Sequence, residues 1–391
     1  MAFYSTLYNR NEAESRLKNF TDNLVYKYAT YRNFDYGREE KNIVSGLSPA
    51  INRRIICEWE VVKCVLNTYS FDKVEKFVQE ICWRTYWKGY LEHYPDIWAN
   101  YLNDLKNLKD IKEGQTYIDA ISGQTGIKCF DHWIKDLVHD GYLHNHTRMW
   151  FASIWVHTLR LPWQLGANIF LEHLIDGDPA SNTLSWRWVA GIHTKGKSYL
   201  AYPENIKKYT NGKFYPVNQL ATRAKSVDEG VQFLPKRLNF DFKIKGEKNC
   251  LLIHESDLSF TIPNECDIIF IQNSPLNNLK RSSVVQSFIS NALKEIQDKC
   301  NKDQKCDVVL VDLEDTKMIK RHLNQRGLNS LYTNYPALGA VNDQIEKLKS
   351  ENIIVEYKYR KWDRSFWPHS SKGFFKLKSK IPKIIKQLNC V

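Results

Sequence analysis

The sequence predicts a mostly α-helical domain followed by a smaller Rossmann-like α/β domain, and three observations carry that prediction. Apolar residues recur at helical spacing through residues 70–92, 130–137 and 142–175. Around residue 215 the pattern changes to short apolar runs at 251–253, 268–271, 308–311 and 353–355, alternating with helical segments at 281–297 and 340–350. Short continuous runs of this kind read as buried parallel strands. Finally, 391 residues exceed what one core usually supports, so two domains are expected, at 1–225 and 226–391. The second lacks a Gly-x-Gly-x-x-Gly turn, so its fold class brings no dinucleotide site with it.

Bulk properties narrow the partners. A net charge of +12 and a pI near 9.1 favour nucleic acid or another polyanion. The 12 Trp and 21 Tyr suit stacking on bases or rings and electron hopping, although a Trp-heavy core is the plainer reading. Nine Cys are scattered without a Cys-x-x-Cys pair, and Cys300 and Cys306 stand too isolated for a four-ligand zinc or iron–sulfur site. No metal is expected, and all nine read as reduced thiols of an intracellular, cytoplasmic protein. The N-terminus lacks a signal pattern, and no stretch reaches the roughly 18 uncharged apolar residues of a spanning helix. The expectation is a soluble monomer with no membrane partner.

Along the chain, Tyr28 and Arg32 sit one helical turn apart. Residues 41–49 look like a helix entry, with Ser48 as N-cap and Pro49 at the first helical position. Free N–H groups at such an end bind anions, though an ordinary cap is the plainer reading. Residues 70–92 form the clearest amphipathic helix. Val74, Val78, Ile81 and Thr85 make one side; Glu80, Trp83, Arg84 and Trp87 make the other. A carboxylate, an Arg and two Trp are an odd solvent face, which points to a binding surface or to a second core contact covering both Trp. Residues 95–122 are charged and read as a surface connection. Helix resumes at Phe130, and residues 142–160 continue helically with Asn145 and Met149 on one face and Arg148 alongside.

The segment 151–161 and the one opened by Trp163 are nearly all apolar. Between them they deliver Asp176-Gly-Asp-Pro-Ala-Ser-Asn182 and Trp186-Arg-Trp188 to one place. Buried carboxylates need partners, and Asn145 and Arg148 are the nearest suppliers. The loop would open a calcium site, but its twelfth position is Arg187 where a Glu is required. Residues 191–199 make a basic, candidate phosphate-contacting loop in which His193 reads as a satisfied loop residue. The C-terminal tail, Trp362-Asp-Arg-Ser-Phe-Trp-Pro-His and then Lys372-Gly-Phe-Phe-Lys-Leu-Lys, is basic and aromatic.

In order and spacing, His144-Asn-His-Thr-Arg-Met149, Asp176-Gly-Asp-Pro-Ala-Ser-Asn182 and Trp186-Arg-Trp188-Val-Ala resemble the flavin-binding helical domain of the photolyase/cryptochrome superfamily. The resemblance covers about residues 20–215. It implies FAD held by Tyr28, Val44, Ser45, Leu47, Ser48, Phe77, Arg84, Arg148, Asp176, Gly177, Asp178 and Asn182. Arg148 would pair with Asp176, and Asn182 would face the flavin. Val44 stands where the family usually has a hydroxyl, and Gly46 where it often has Arg. Thr183-Leu-Ser185 departs from the common Asn-Gly-Gly pattern, which marks an atypical branch.

The resemblance further implies a deoxyribodipyrimidine photolyase, splitting cyclobutane pyrimidine dimers by electron transfer from reduced FAD. A blue-light photoreceptor without repair is the alternative. Glu80, Asn182, Trp186 and Trp163 would carry the chemistry, the two Trp as the first members of an electron-transfer chain. Its third position falls on Ala120, and Trp133, Trp150, Tyr117 or Tyr142 are candidate replacements. Contacts to UV-damaged DNA and its lesion map to Arg32, Glu80, Trp83, Asn145, His146, Met149 and Trp188. Family members that repair (6-4) photoproducts place His at the positions of Asn145 and Met149. Neither an amide nor a thioether can supply the acid that reaction needs. The order of domains is the reverse of ordinary photolyases. The α/β domain is therefore expected to be a relocated relative of their antenna domain, with a second, antenna chromophore as its candidate ligand.

Overall fold

The computed structural model describes residues 3–37, 43–194, 196–240, 250–262, 266–303 and 306–390. Lys41 and Asn42 of the expected helix entry, and Lys195 of the basic loop, lie outside the described residues.

The helical part runs α1 (Arg10–Asn23), α2 (Tyr28–Tyr31), α3 (Ser48–Asn52), α4 (Glu58–Leu66), α5 (Phe71–His93), α6 (Asp96–Asn107) and α7 (Gln115–Ser122). It continues with α8 (Lys128–Asp140), α9 (Asn145–Ser153), α10 (Trp163–His173), α11 (Pro179–Val189) and α12 (Pro203–Tyr209). Helix α5 is the spine. Its Val74, Val78, Ile81 and Thr85 are buried, as the periodicity requires, and so are Phe77, Cys82 and Tyr86.

Three local readings are corrected. Residues 95–122, read as a surface connection, fold as α6, a 3-10 turn and α7; Trp98 and Tyr101 are buried, while most of 102–122 lies at the surface. The helix expected across 142–160 begins only at Asn145: α8 ends at Gly141, whose φ of +66° only Gly adopts cheaply, residues 142–144 are not helical, and the turn at 154–158 is a π-helix. Ser48 is the first helical residue rather than the cap, which is Leu47, and α3 is only five residues long.

The α/β part is a five-stranded sheet of order β3-β2-β1-β4-β5, from β1 (Cys250–Ile253), β2 (Ile268–Gln272), β3 (Asp307–Val311), β4 (Ser330–Asn334) and β5 (Ile354–Lys358). Each pairing between these five strands is parallel, with Leu251 opposite Ile269 on one side and Tyr332 on the other. Helices α13 (Ser283–Asp303), α14 (Thr316–Asn324) and α15 (Ala340–Ser350) make the crossovers. The strands read from apolar runs are present. Strand β4 was missed because Ser-Leu-Tyr-Thr-Asn offers only two apolar residues, although all but the first are buried.

The chain then returns to α5 through α16 (Lys361–Phe366), α17 (Phe374–Lys378) and α18 (Ile381–Gln387). A Cβ at Gly89 would lie 2.6 Å from the Trp367 ring, so Gly89 is what admits this tail so closely. Trp362 donates its indole N–H to Thr85 at 2.8 Å. Beside it lies a buried knot of charge. Arg54 reaches Asp363 at 2.7 Å and Glu58 and Asp257 at 3.2 Å, Arg360 meets Asp257 at 2.8 Å, and Arg281 meets Glu255 at 2.6 Å. Each of these charges is tolerable only because its partner is present. Among the described residues no helix is long and apolar enough to cross a membrane.

Candidate functional site

The loop between α10 and α11 carries Asp176, Gly177 and Asp178. Burial alone would raise the Asp176 carboxyl. Arg148, Arg84 and a hydrogen bond with Ser48 outweigh it and hold that carboxyl below the usual range. Arg148 lies 3.0 Å from Asp176, as expected, while its Nε donates to Leu143 O at 2.9 Å. Asn52, which the sequence did not flag, ties the second cation in. Its Oδ1 accepts from Arg84 at 3.2 Å and its Nδ2 donates to Gly177 O at 3.2 Å. A lone Asn inside a short helix gives no signal in sequence. Asp178 caps α11 by accepting from Ser181 N at 2.8 Å, with Lys88 at 3.8 Å. Asn182 is buried and donates from Nδ2 to Ala167 O at 2.8 Å, which turns its carbonyl oxygen the other way.

The remaining expected cofactor contacts lie around α1 to α5. Arg16 donates to Ser45 O at 2.7 Å and Val44 O at 3.1 Å, fixing the turn before α3, where Leu47 is fully buried. Phe77 meets Tyr28 edge to face at 5.2 Å. Thus Ser48, Arg84, Arg148, Asp176, Gly177 and Asp178 are brought to one place by hydrogen bonds or ion pairs. Two guanidinium groups, hydroxyls and a buried carboxylate form a donor and acceptor set that fits a cofactor joining an anionic bridge to an amine-bearing ring.

On the outer stripe of α5, Glu80 pairs with Lys76 at 3.0 Å and Arg32 at 3.6 Å. Trp83 is stacked on Phe374 of the tail, with ring centroids 3.6 Å apart and planes at 12°. For this Trp the sequence alternative of a second core contact is the one observed, and Trp87 is buried too. Trp188 is half-buried and stacked on Tyr199 at 5.6 Å. Asn145 is exposed and Met149 half-buried. His146 is a correction. It turns inward, stacks on Trp150 at 4.5 Å and sits within 3.2 Å of Asn33 O. Burial lowers its imidazole to about 4, so it is neutral and not placed to meet a phosphate.

Trp186 and Trp163 are both buried, and among the described residues neither indole N–H has a partner. A Cβ on Gly166, one turn beyond Trp163, would lie 2.3 Å from the Trp186 ring, so Gly166 lets Trp186 lie against α10. Ala120 is fully buried. Of the candidate replacements, Trp133 and Trp150 stack on each other at 5.6 Å, and Tyr142 stacks on Tyr4 at 3.7 Å. Tyr117 reaches Trp186 only edge-on, through Trp155. The ring stacked on Trp163 is Tyr101, at 5.6 Å, which the sequence reading passed over in its charged segment.

Residues 77–233 match the family model of the FAD binding domain of DNA photolyase. Three proteins named deoxyribodipyrimidine photo-lyase are similar to the chain. That of Neurospora crassa is 28% identical over 196 residues, covering 48% of this chain and 32% of the relative. That of Agrobacterium fabrum is 30% identical over 183 residues, or 46% and 37%. That of Streptomyces griseus is 38% identical over 122 residues, or 31% and 26%. The matched stretch thus spans between about a quarter and a little over a third of these relatives' length.

Proposed function

We infer from this FAD-binding domain that the chain is a member of the photolyase/cryptochrome superfamily, and on that premise propose that it splits cyclobutane pyrimidine dimers in UV-damaged DNA using light. The observation that carries the reading is the buried Asp176–Arg148 pair on the matched loop, with Ser48 and Arg84 converging on it. Bound there, FAD supplies light absorption and one-electron chemistry.

The chain's own residues do the rest. Ser45 and Ser48 would hold the anionic bridge, Arg84 would lie near the flavin ring, and Asp176, paired with Arg148, and Asp178 would take the ribose and adenine side. Asn182 presents a neutral amide to the flavin ring. Glu80, kept in place by Lys76 and Arg32, accepts a hydrogen bond from a pyrimidine N–H of a dimer flipped out of the duplex. Trp83 and Trp188, each with its ring plane fixed by a stacked neighbour, flank that dimer at roughly 1–3 kcal/mol per stacked base. Asn145 and Met149 line the same pocket, and neither is an acid, which favours cyclobutane dimers over (6-4) photoproducts. The net charge of +12 suits a DNA partner.

One observation favours a second reading, a photoreceptor without repair: Phe374 covers a face of Trp83. Illumination of the reduced, flavin-loaded protein with oligonucleotides carrying one defined lesion tests the proposal. Cyclobutane dimers should be split in light and not in darkness, with a lower quantum yield in Glu80→Ala. Repair of (6-4) photoproducts instead would reverse the assignment, and repair of neither lesion would leave the photoreceptor.

A further inference from the structure

We propose that Trp98 is the outer electron donor that resupplies the flavin site through Trp163, with Tyr101 as the bridge and Asp343 of the α/β part as the acceptor of the Trp98 proton. The inference rests on the flavin reading above but goes beyond it, since it gives the C-terminal part of the chain a task in electron supply.

The geometry is a run of near-parallel stacks. Tyr101 lies 5.6 Å from Trp163 with planes at 25°, and Trp98 lies 5.4 Å from Tyr101 with planes at 31°. Both come from α6, at i and i+3, and both are buried. Trp98 donates its indole N–H to Asp343 Oδ2 at 3.1 Å. The competing exit runs edge to face, with Trp155 at 6.4 Å and 87° from Trp186 and Tyr117 at 5.9 Å and 86° from Trp155.

Chemistry separates the roles of the two rings. An oxidised phenol must shed its proton, and the Tyr101 hydroxyl is buried with no hydrogen-bond partner among the described residues. Tyr101 therefore couples its neighbours without being oxidised itself. An indole N–H becomes strongly acidic once the ring loses an electron, and at Trp98 a carboxylate is already in place to take that proton. Burial raises the Asp343 carboxyl, an effect its hydrogen bond with Trp98 opposes, and a raised carboxyl is the better base. Electrostatics point outward as well. The Arg187 guanidinium, paired with Glu229, lies 5.9 Å from the Trp163 ring and disfavours positive charge there, whereas Trp98 faces a carboxylate.

One electron leaves Trp186 for the light-excited oxidised flavin, Trp163 refills Trp186, and Trp98 refills Trp163 across Tyr101. The Trp98 N–H bond then breaks as an O–H bond forms on Asp343, leaving a neutral indole radical. A one-electron reductant in solution, such as ferrocyanide, returns the electron, and Asp343 returns the proton. The net result is one electron moved from reductant to flavin.

The test is time-resolved absorption on the FAD-loaded full chain, following tryptophan radicals as well as the rate of photoreduction with ferrocyanide. Flavin content and melting temperature confirm that each variant is folded. Trp98→Phe should slow photoreduction about tenfold and remove the long-lived neutral tryptophan radical. Tyr101→Phe should behave like the wild type and Tyr101→Leu like Trp98→Phe. Asp343→Asn, which keeps the shape of the side chain, should leave the Trp98 radical protonated and short-lived and abolish the solvent isotope effect on its decay. A Trp98→Phe protein with wild-type radical yield and lifetime would overturn the proposal, as would the same losses in Tyr117→Phe. Equal impairment of Tyr101→Phe and Tyr101→Leu would overturn the bridging role. A wild-type chain that takes up no FAD would instead remove the flavin reading on which the proposal stands.

Discussion

Asp176 is buried beside a nearly all-apolar helix, and its ionised form persists because Arg148, Arg84 and Ser48 are turned towards it. Removing the carboxylate leaves Arg148 without its counter-charge, a loss of about 3–5 kcal/mol for a buried pair broken on one side. Asp176→Ala should therefore lower the denaturation midpoint and release flavin, measured as bound FAD per chain after gel filtration. Full retention of FAD in that variant would place the cofactor elsewhere. Glu92 behaves oppositely. Burial pushes its carboxyl from 4.5 up to about 7, against hydrogen bonds from Leu338 N–H and the Tyr335 hydroxyl that favour the ion. A carboxyl raised on folding contributes stability that is complete below about pH 4.5 and lost as pH rises through about 7. Glu92→Gln should remove a slope of roughly 3 kcal/mol across that window, read from denaturation midpoints at several pH values. Parallel curves for variant and wild type would show that Glu92 does not titrate there.

At the level of elements, the long helix α5 organises both parts of the chain. Its inner face was legible because Val74, Val78, Ile81 and Thr85 repeat at helical spacing. What covers its outer face was not, because Phe374 and Trp367 arrive from the far end of the sequence and periodicity carries no address for a partner. Phe374 is buried against Trp83 and Tyr86, so Phe374→Ala should cost about 3–5 kcal/mol and shift Trp83 fluorescence towards that of a wet indole. An unshifted spectrum would mean that Trp83 is shielded by other groups. The acidic loop was legible for a different reason: two carboxylates and an Arg at fixed spacing demand each other. Helix α6 was overlooked although Ile97, Trp98 and Tyr101 repeat at helical spacing, because Asp96, Asp104 and Lys106 made the segment look solvated. His146 misled in the opposite sense. The resemblance put it at a DNA contact, and packing against Trp150 shows that it faces inward.

Across the whole molecule, the helical and α/β parts are joined through buried ion pairs, with Arg53 and Arg54 on one side and Glu255, Asp257 and Asp363 on the other. Separating them would strand several charges at once, so the two parts should unfold together. Thermal unfolding followed by far-ultraviolet circular dichroism and by flavin release should give coincident transitions, whereas two separated midpoints would show that the parts fold independently. Domain order could be read from where helical periodicity gives way to apolar runs. How the second part docks on the first could not, since the charges that lock it, Arg53, Arg54 and Asp363, look like ordinary surface residues in sequence. The proposed chemistry depends on a FAD site closed around Asp176. Titration of the purified chain with FAD, followed by visible absorption and flavin fluorescence, is the test of that site. Saturation at one FAD per chain, with the structured absorption band of a buried oxidised flavin, is the expected result; a spectrum that stays that of free FAD at every ratio would contradict it.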